Sequence, residues 1–129
     1  MKKIILLLLF MLPLAVSAQE LLGKKKKYID SVKSNSDIII DTPEMTIWNN
    51  RTLDGAKYLI CYFQDEKCYK SVSIFPADKL AHWEKILDNN CMRVKGQDKL
   101  WIDQKRKMMF KILPGENGTF GLESTKSNE

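Results

Sequence analysis

The stretch "KYLICYFQDEKCYKSVSIF" (57–75) narrows the folding options of this 129-residue chain more than any other. Two β-branched and aromatic runs flank the polar residues Gln64 to Lys67, a pattern that predicts a β-hairpin. With a two-residue tip at Asp65-Glu66 and regular pairing, Phe63 opposes Cys68 and Cys61 opposes Lys70. Opposed residues share a face. Leu59, Cys61, Phe63, Cys68, Lys70, Val72 and Ile74 would then meet the core. Tyr58, Ile60, Tyr62, Tyr69, Ser71, Ser73 and Phe75 would meet water or a partner.

The flanking sequence extends the pattern. "GKKKKYIDSVKSNSD" predicts a short helix with Tyr28, Ile29 and Val32 on one side. "DIII" and "EMTIW" read as strands around the turn Asp41-Thr42-Pro43. "PADKLAHWEKILDNN" is the clearest helix. Pro76 and Asp78 suit its first turn, and Leu80, Trp83, Ile86 and Leu87 form an apolar stripe. "MRVK", "KLWID", "KMMFKIL" and "TFGLES" predict four more strands. Met108, Phe110 and Ile112 alternate onto one side of the third.

Helix and four strands thus occur twice. A 54-residue offset superposes Ile29 on Trp83 and Val32 on Ile86, which divides the chain into halves 23–76 and 77–124. The expected fold is α+β and two-layered: an antiparallel meander sheet with two helices on one face. This outline resembles the β-lactamase-inhibitor-protein architecture. That resemblance implies tandem helix-plus-meander units presenting a concave sheet to a partner. It is also similar to small outer-membrane assembly lipoproteins, although no cysteine follows the expected cleavage site to carry a lipid.

The N-terminus reads as an export signal. Lys2 and Lys3 precede the apolar run Ile4–Val16, and Val16-Ser17-Ala18 supplies a small-residue cleavage site. Thirteen apolar residues are short of the roughly 20 that span a bilayer. Residues 1–18 are therefore expected to be removed, leaving one domain over 19–129. The short dilysine start resembles bacterial signals, which places the mature chain in the periplasm or the medium.

Export permits disulfides. Cys61 and Cys68 are diagonal neighbours in the regular hairpin, too far apart for good bond geometry. A helix returning along the strand that ends at Phe75 would bring Cys91 toward Cys68, so Cys68–Cys91 is the first candidate disulfide, with Cys61–Cys91 and no disulfide as the alternatives. Zinc sites need closely spaced ligand pairs, whereas the three cysteines and His82 are scattered. No P-loop, G-x-S-x-G or G-x-G-x-x-G motif occurs. The sequence therefore points to no cofactor, metal or catalytic residue.

After cleavage, 19 basic residues face 16 acidic ones, a mild +3 that does not call for nucleic acid. The basic residues cluster at Lys24, Lys25, Lys26 and Lys27 and again at Lys105, Arg106 and Lys107. Such clusters can touch anionic lipid or glycan. The expected function is non-enzymatic binding of a protein or glycan through Tyr58, Tyr62, Tyr69 and Phe75, since tyrosine combines contact area with a polar handle. Envelope contact through the basic clusters is the first alternative, and a small hydrolase the second. Export itself is directly testable: N-terminal sequencing of secreted material should begin at Gln19, and a chain retaining Met1 would refute cleavage.

Overall fold

A computed structural model describes residues 21–32, 37–49 and 55–127; the expected export signal, 1–18, lies outside them. Helix α1 (Lys26–Val32) precedes strands β1 (Ile38–Asp41), β2 (Met45–Asn49), β3 (Tyr58–Gln64) and β4 (Lys67–Pro76). A 3-10 turn (Ala77–Lys79) runs into α2 (Leu80–Asn90). Strands β5 (Met92–Arg93), β6 (Leu100–Asp103), β7 (Met108–Pro114) and β8 (Thr119–Lys126) complete the fold. The eight strands form one antiparallel sheet in the order β1-β2-β3-β4-β8-β7-β6-β5, so the fold is α+β. Two meanders meet where β4 pairs with β8, from Lys70 opposite Thr125 to Pro76 opposite Thr119.

The β3–β4 hairpin has the expected tip, with Asp65 and Glu66 both at positive φ (53° and 66°). That turn geometry matches the strand twist. Pairing starts as expected, with Gln64 opposite Lys67 and Phe63 opposite Cys68. It then shifts: Tyr62 opposes Lys70, and Cys61 opposes Ser71. Tyr69 is therefore an extra residue, a β-bulge. Because side chains alternate with period two, one extra residue inverts every later residue of β4. Ser71, Ser73 and Phe75 turn inward, while Lys70, Val72 and Ile74 turn outward.

Three hydrogen bonds hold the bulge. The Cys68 thiol donates to the Lys70 carbonyl at 3.4 Å, across the extra residue. On the other side, the Cys68 N–H donates to the Lys24 carbonyl at 2.9 Å, and the Gly23 N–H donates to the Cys68 carbonyl at 2.7 Å. The segment before α1 thus pairs with the start of β4, next to where β8 ends.

The inward face carries the core. Trp48, Leu59, Cys61, Phe63, Phe75, Trp101, Phe110 and Leu122 are buried there together with Leu21 and Ile29 from the α1 end and Leu87 from α2. The Phe75 ring lies 5.0 Å from Trp83 and 5.5 Å from Phe120, joining the end of β4 to α2 and β8. Burying Phe75 is worth about 1.5–3 kcal/mol, and each ring pair adds about 0.5–1.5 kcal/mol. This gain explains why the bulged register wins over the regular one, which would bury Lys70 and expose Phe75.

Helix α2 does not return along β4. It starts at the Phe75 ring and crosses toward β5 and β6. The buried Trp101 indole donates to Asp88 at 2.8 Å, Arg93 bonds Asp88 at 3.1 Å, and Lys99 bonds Glu84 at 3.0 Å. The Arg93 guanidinium also lies 4.8 Å above the Trp101 ring. These bonds tie the charged flank of α2 to the far edge of the sheet.

The bulge makes an unusual forecast about deletions. Removing Tyr69 restores regular pairing with every buried residue still inside, so that variant should fold with a cooperative thermal transition. Removing Ser71 leaves no such solution, because β4 must either bury Lys70 or turn Phe75 outward. Circular dichroism melts of the two variants should show one folded and one unfolded chain, and equal behaviour would exclude the bulged register.

Candidate functional site

The outward face of the sheet is built in cross-strand rows. One row runs Met45–Tyr62–Lys70–Thr125–Met109–Ile102–Met92. The next runs Ile40–Ile47–Ile60–Val72–Glu123–Lys111–Leu100. A third runs Asn49–Tyr58–Ile74–Gly121–Leu113. Seven strand spacings make the face about 34 Å wide. Most of its side chains are aliphatic or aromatic, and many are half-buried only by their neighbours.

Three of the four expected contact residues belong to this surface. Tyr58 and Tyr69 are 40% and 48% exposed, and Tyr62 is half-buried. The Tyr62 and Tyr69 rings stand 6.4 Å apart. Lys70 sits between them, its ammonium 4.4 Å from the Tyr62 centroid and 6.0 Å from the Tyr69 centroid. It also reaches Glu123 at 3.8 Å. A surface ion pair of this kind contributes about 0–1 kcal/mol, so it positions Lys70 more than it stabilises the fold. At Gly121 a Cβ would stand 3.2 Å from Val72 Cγ1 and 3.6 Å from Ile74 Cδ1. Those two side chains therefore lean over β8 and level the middle of the face.

The fourth expected residue, Phe75, is not there. It is 1% exposed in the core, because the bulge reverses the end of β4. Ser71 and Ser73 move inward with it, and Lys70, Val72 and Ile74 replace them. Regular pairing also missed the methionines and Ile102, which reach this face from strands remote in sequence.

The cysteines are all free. Cys61 and Cys68 are buried side by side, and a hydrogen bond from the Cys61 thiol draws the Cys68 thiol below its ordinary value against the effect of burial. The candidate bond Cys68–Cys91 is absent because α2 crosses the sheet. Cys91 emerges beside Asp103 on β6, three strand spacings or about 14 Å from β4. Burial, then Asp103, pushes the Cys91 thiol up, with Arg106 opposing. His82 is exposed on α2, nine helical positions or about 13 Å before Cys91. The fold therefore assembles no Cys–His pair. Among the described residues, no three His, Cys, Asp or Glu side chains come together as metal ligands.

The two basic clusters, far apart in sequence, meet at one end of the sheet. Lys25 bridges to Lys67 at the start of β4, and the Ser127 N–H donates to the Lys107 carbonyl at 2.8 Å. Lys126 lies against Gly23. Lys26 is withdrawn from this group: it is half-buried and bonds Asp41 at 2.7 Å, Asp30 at 3.3 Å and Thr46 at 3.2 Å. Arg106 is tied down as well, its Nε donating to Asp103 at 2.7 Å and its backbone N–H to the same carboxylate at 3.1 Å. Lys24, Lys25, Lys27, Lys105 and Lys107 remain exposed.

Searches against family models, curated proteins and solved structures found no match to this chain. Among the described residues, no helix is long and apolar enough to cross a membrane.

Three carboxyls report on the integrity of this scaffold. Bonds from Arg93 and Trp101 hold Asp88 below its ordinary 3.8, and bonds from Lys26 and Thr46 do the same for Asp41. At Asp103 burial works the other way, but Arg106 outweighs it. A depressed folded value means that stability is fully present above the unfolded 3.8 and is lost as pH falls through the folded values. Melting temperature should therefore hold near pH 6 and fall steeply below about pH 4. Asp103→Asn should lower it at pH 6, by about 1–3 kcal/mol of stability, and flatten the acid limb. An unchanged acid limb in that variant would remove Asp103 from the account.

Proposed function

We propose that this chain is an exported, non-catalytic binding module that docks a protein partner on the open face of its sheet. The observation that carries the reading is the row Met45–Tyr62–Lys70–Thr125–Met109–Ile102–Met92, an apolar and aromatic band reaching from β2 to β5. A standard interface takes about 800 Å² from each partner, a patch about 28 Å across, and the face is wide enough to supply it. Tyrosines backed by a lysine make an interface centre, and flexible methionines adapt its margins. The aliphatic content favours a protein over a glycan, which would want more hydrogen-bonding side chains.

Two tandem halves, 23–76 and 77–124, layered with both helices on the core side, fit this reading. Each half contributes one helix and one meander, and the strand order runs inward from both edges to β4 and β8. Trp48 and Trp101, on the second strand of each half, are both fully buried. A duplicated unit of this form would leave one uninterrupted face for a ligand.

A second reading has its own support. Lys24, Lys25, Lys27, Lys67, Lys105, Lys107 and Lys126 share one end of the sheet, which suits an anionic membrane or polyanion.

Parallel variants separate the two. Tyr62→Ala with Tyr69→Ala should weaken partner binding by about 2 kcal/mol or more, roughly 30-fold, with the melting curve retained. Lys25→Glu with Lys107→Glu should leave that binding unchanged and instead abolish any salt-sensitive binding to anionic vesicles. If the tyrosine variant folds and binds its partner at full strength, the sheet face is not the interface.

A further inference from the structure

The opposite side of the sheet holds a cavity of about 410 Å³ between α2 and the strands. It owes its existence to small residues in the middle of the sheet. Ser73 on β4 and Ser124 on β8, diagonal neighbours on this face, both line it. Large apolar residues at these buried positions would fill the space beneath the helix.

The walls are predominantly apolar. Phe75, Trp83, Ile86, Leu87, Phe110 and Leu122 line the cavity, with the buried hydroxyl residues Ser73 and Ser124 in its floor. Trp83 also carries a buried indole N–H with no hydrogen-bond partner among the described residues.

One side of the cavity is basic. Lys105, Arg106 and Asp103 contribute to the lining, from the β6–β7 turn. Arg106 is matched by Asp103 at 2.7 Å, whereas Lys105 has no carboxylate partner among the described residues. The excess at the rim is one positive charge.

We propose that this cavity binds a small amphipathic carboxylate, with its apolar body against the aromatic wall and its carboxylate at the Lys105 and Arg106 rim. The volume lies in the range of small-molecule sites, about 300–1,000 Å³. A cavity of about 150 Å³ takes benzene, so this one accommodates roughly 10–16 heavy atoms on the same scale. A straight-chain acid of ten carbons meets that size. The site lies on the helix side and is independent of the sheet-face reading.

The test uses decanoate as probe on the purified protein, with decyltrimethylammonium as the charge control. Calorimetry should show saturable binding of one decanoate, and the ammonium should bind at least about tenfold more weakly. Lys105→Glu, an exposed change, should weaken decanoate by about tenfold. Ile86→Trp, which fills the cavity, should abolish binding. Cys91 supplies a readout at the site itself, since it lines the cavity while the other two cysteines are buried. Bound decanoate should slow its alkylation by iodoacetamide severalfold. No saturable binding below the micellar concentration would overturn the proposal. So would binding that leaves both the Cys91 rate and the Lys105→Glu affinity unaltered, which would place the probe on the open apolar face. The labelling and Lys105→Glu measurements decide the matter even if Ile86→Trp does not fold.

Discussion

A single extra residue at Tyr69 determines what each face of this sheet contains. Phe63 and Cys68 pair as a regular hairpin requires, but beyond the bulge β4 presents Ser71, Ser73 and Phe75 to the helices. Strand β8 then pairs along the reversed stretch, Lys70 to Pro76, and the second meander is assembled on that register. Without the bulge, Lys70 would enter the core and Phe75 would leave the ring cluster with Trp83 and Phe120. The desolvation cost of a buried lysine and the lost aromatic burial act in the same direction. The bulge is thus held by the core as much as by the bonds around Cys68.

The two faces stabilise the chain differently. On the helix side, large side chains interlock, and a charged network from Lys99 through Glu84, Arg93 and Asp88 secures α2 to the far strands. Trp101 contributes to both, with its ring in the core and its N–H on Asp88. On the other side no helix covers the strands among the described residues, and cross-strand contacts alone shelter the apolar rows. The same strands therefore supply a core on one side and a contact surface on the other. Ser73, which leaves space under α2, and Lys70, which stands between two tyrosines, both lie on β4, facing opposite ways.

Much of the fold was legible locally. Among the described residues, the eight expected strands and the two expected helices fall where periodicity and turn residues put them, because those signals act within a few residues. Met108, Phe110 and Ile112 alternate into the core as expected, and Leu80, Trp83, Ile86 and Leu87 turn toward the sheet. Of the expected contact surface, Tyr58, Tyr62 and Tyr69 stand on the open side, while Phe75 does not. The error had one origin, the assumption of regular pairing through Tyr69. No local signal marks the bulge, since tyrosine suits a strand as well as it suits an irregular position.

By itself the amino-acid sequence determined the kind of each element, the β3–β4 tip and the general alternation of core and surface. These depend on backbone preference and side-chain period, which neighbouring residues settle among themselves. Tertiary structure alone decided which side of β4 is buried, where Cys91 emerges, that two distant basic clusters share an end, and that serines meet under α2. Each of these depends on partners remote in the chain: residues 23–24 against Cys68, β8 against β4, and α2 against Trp101. Because side-chain direction repeats every two residues, a one-residue shift set by such partners inverts a strand. The strand pattern stays the same in either register, so only the assembled sheet distinguishes the two.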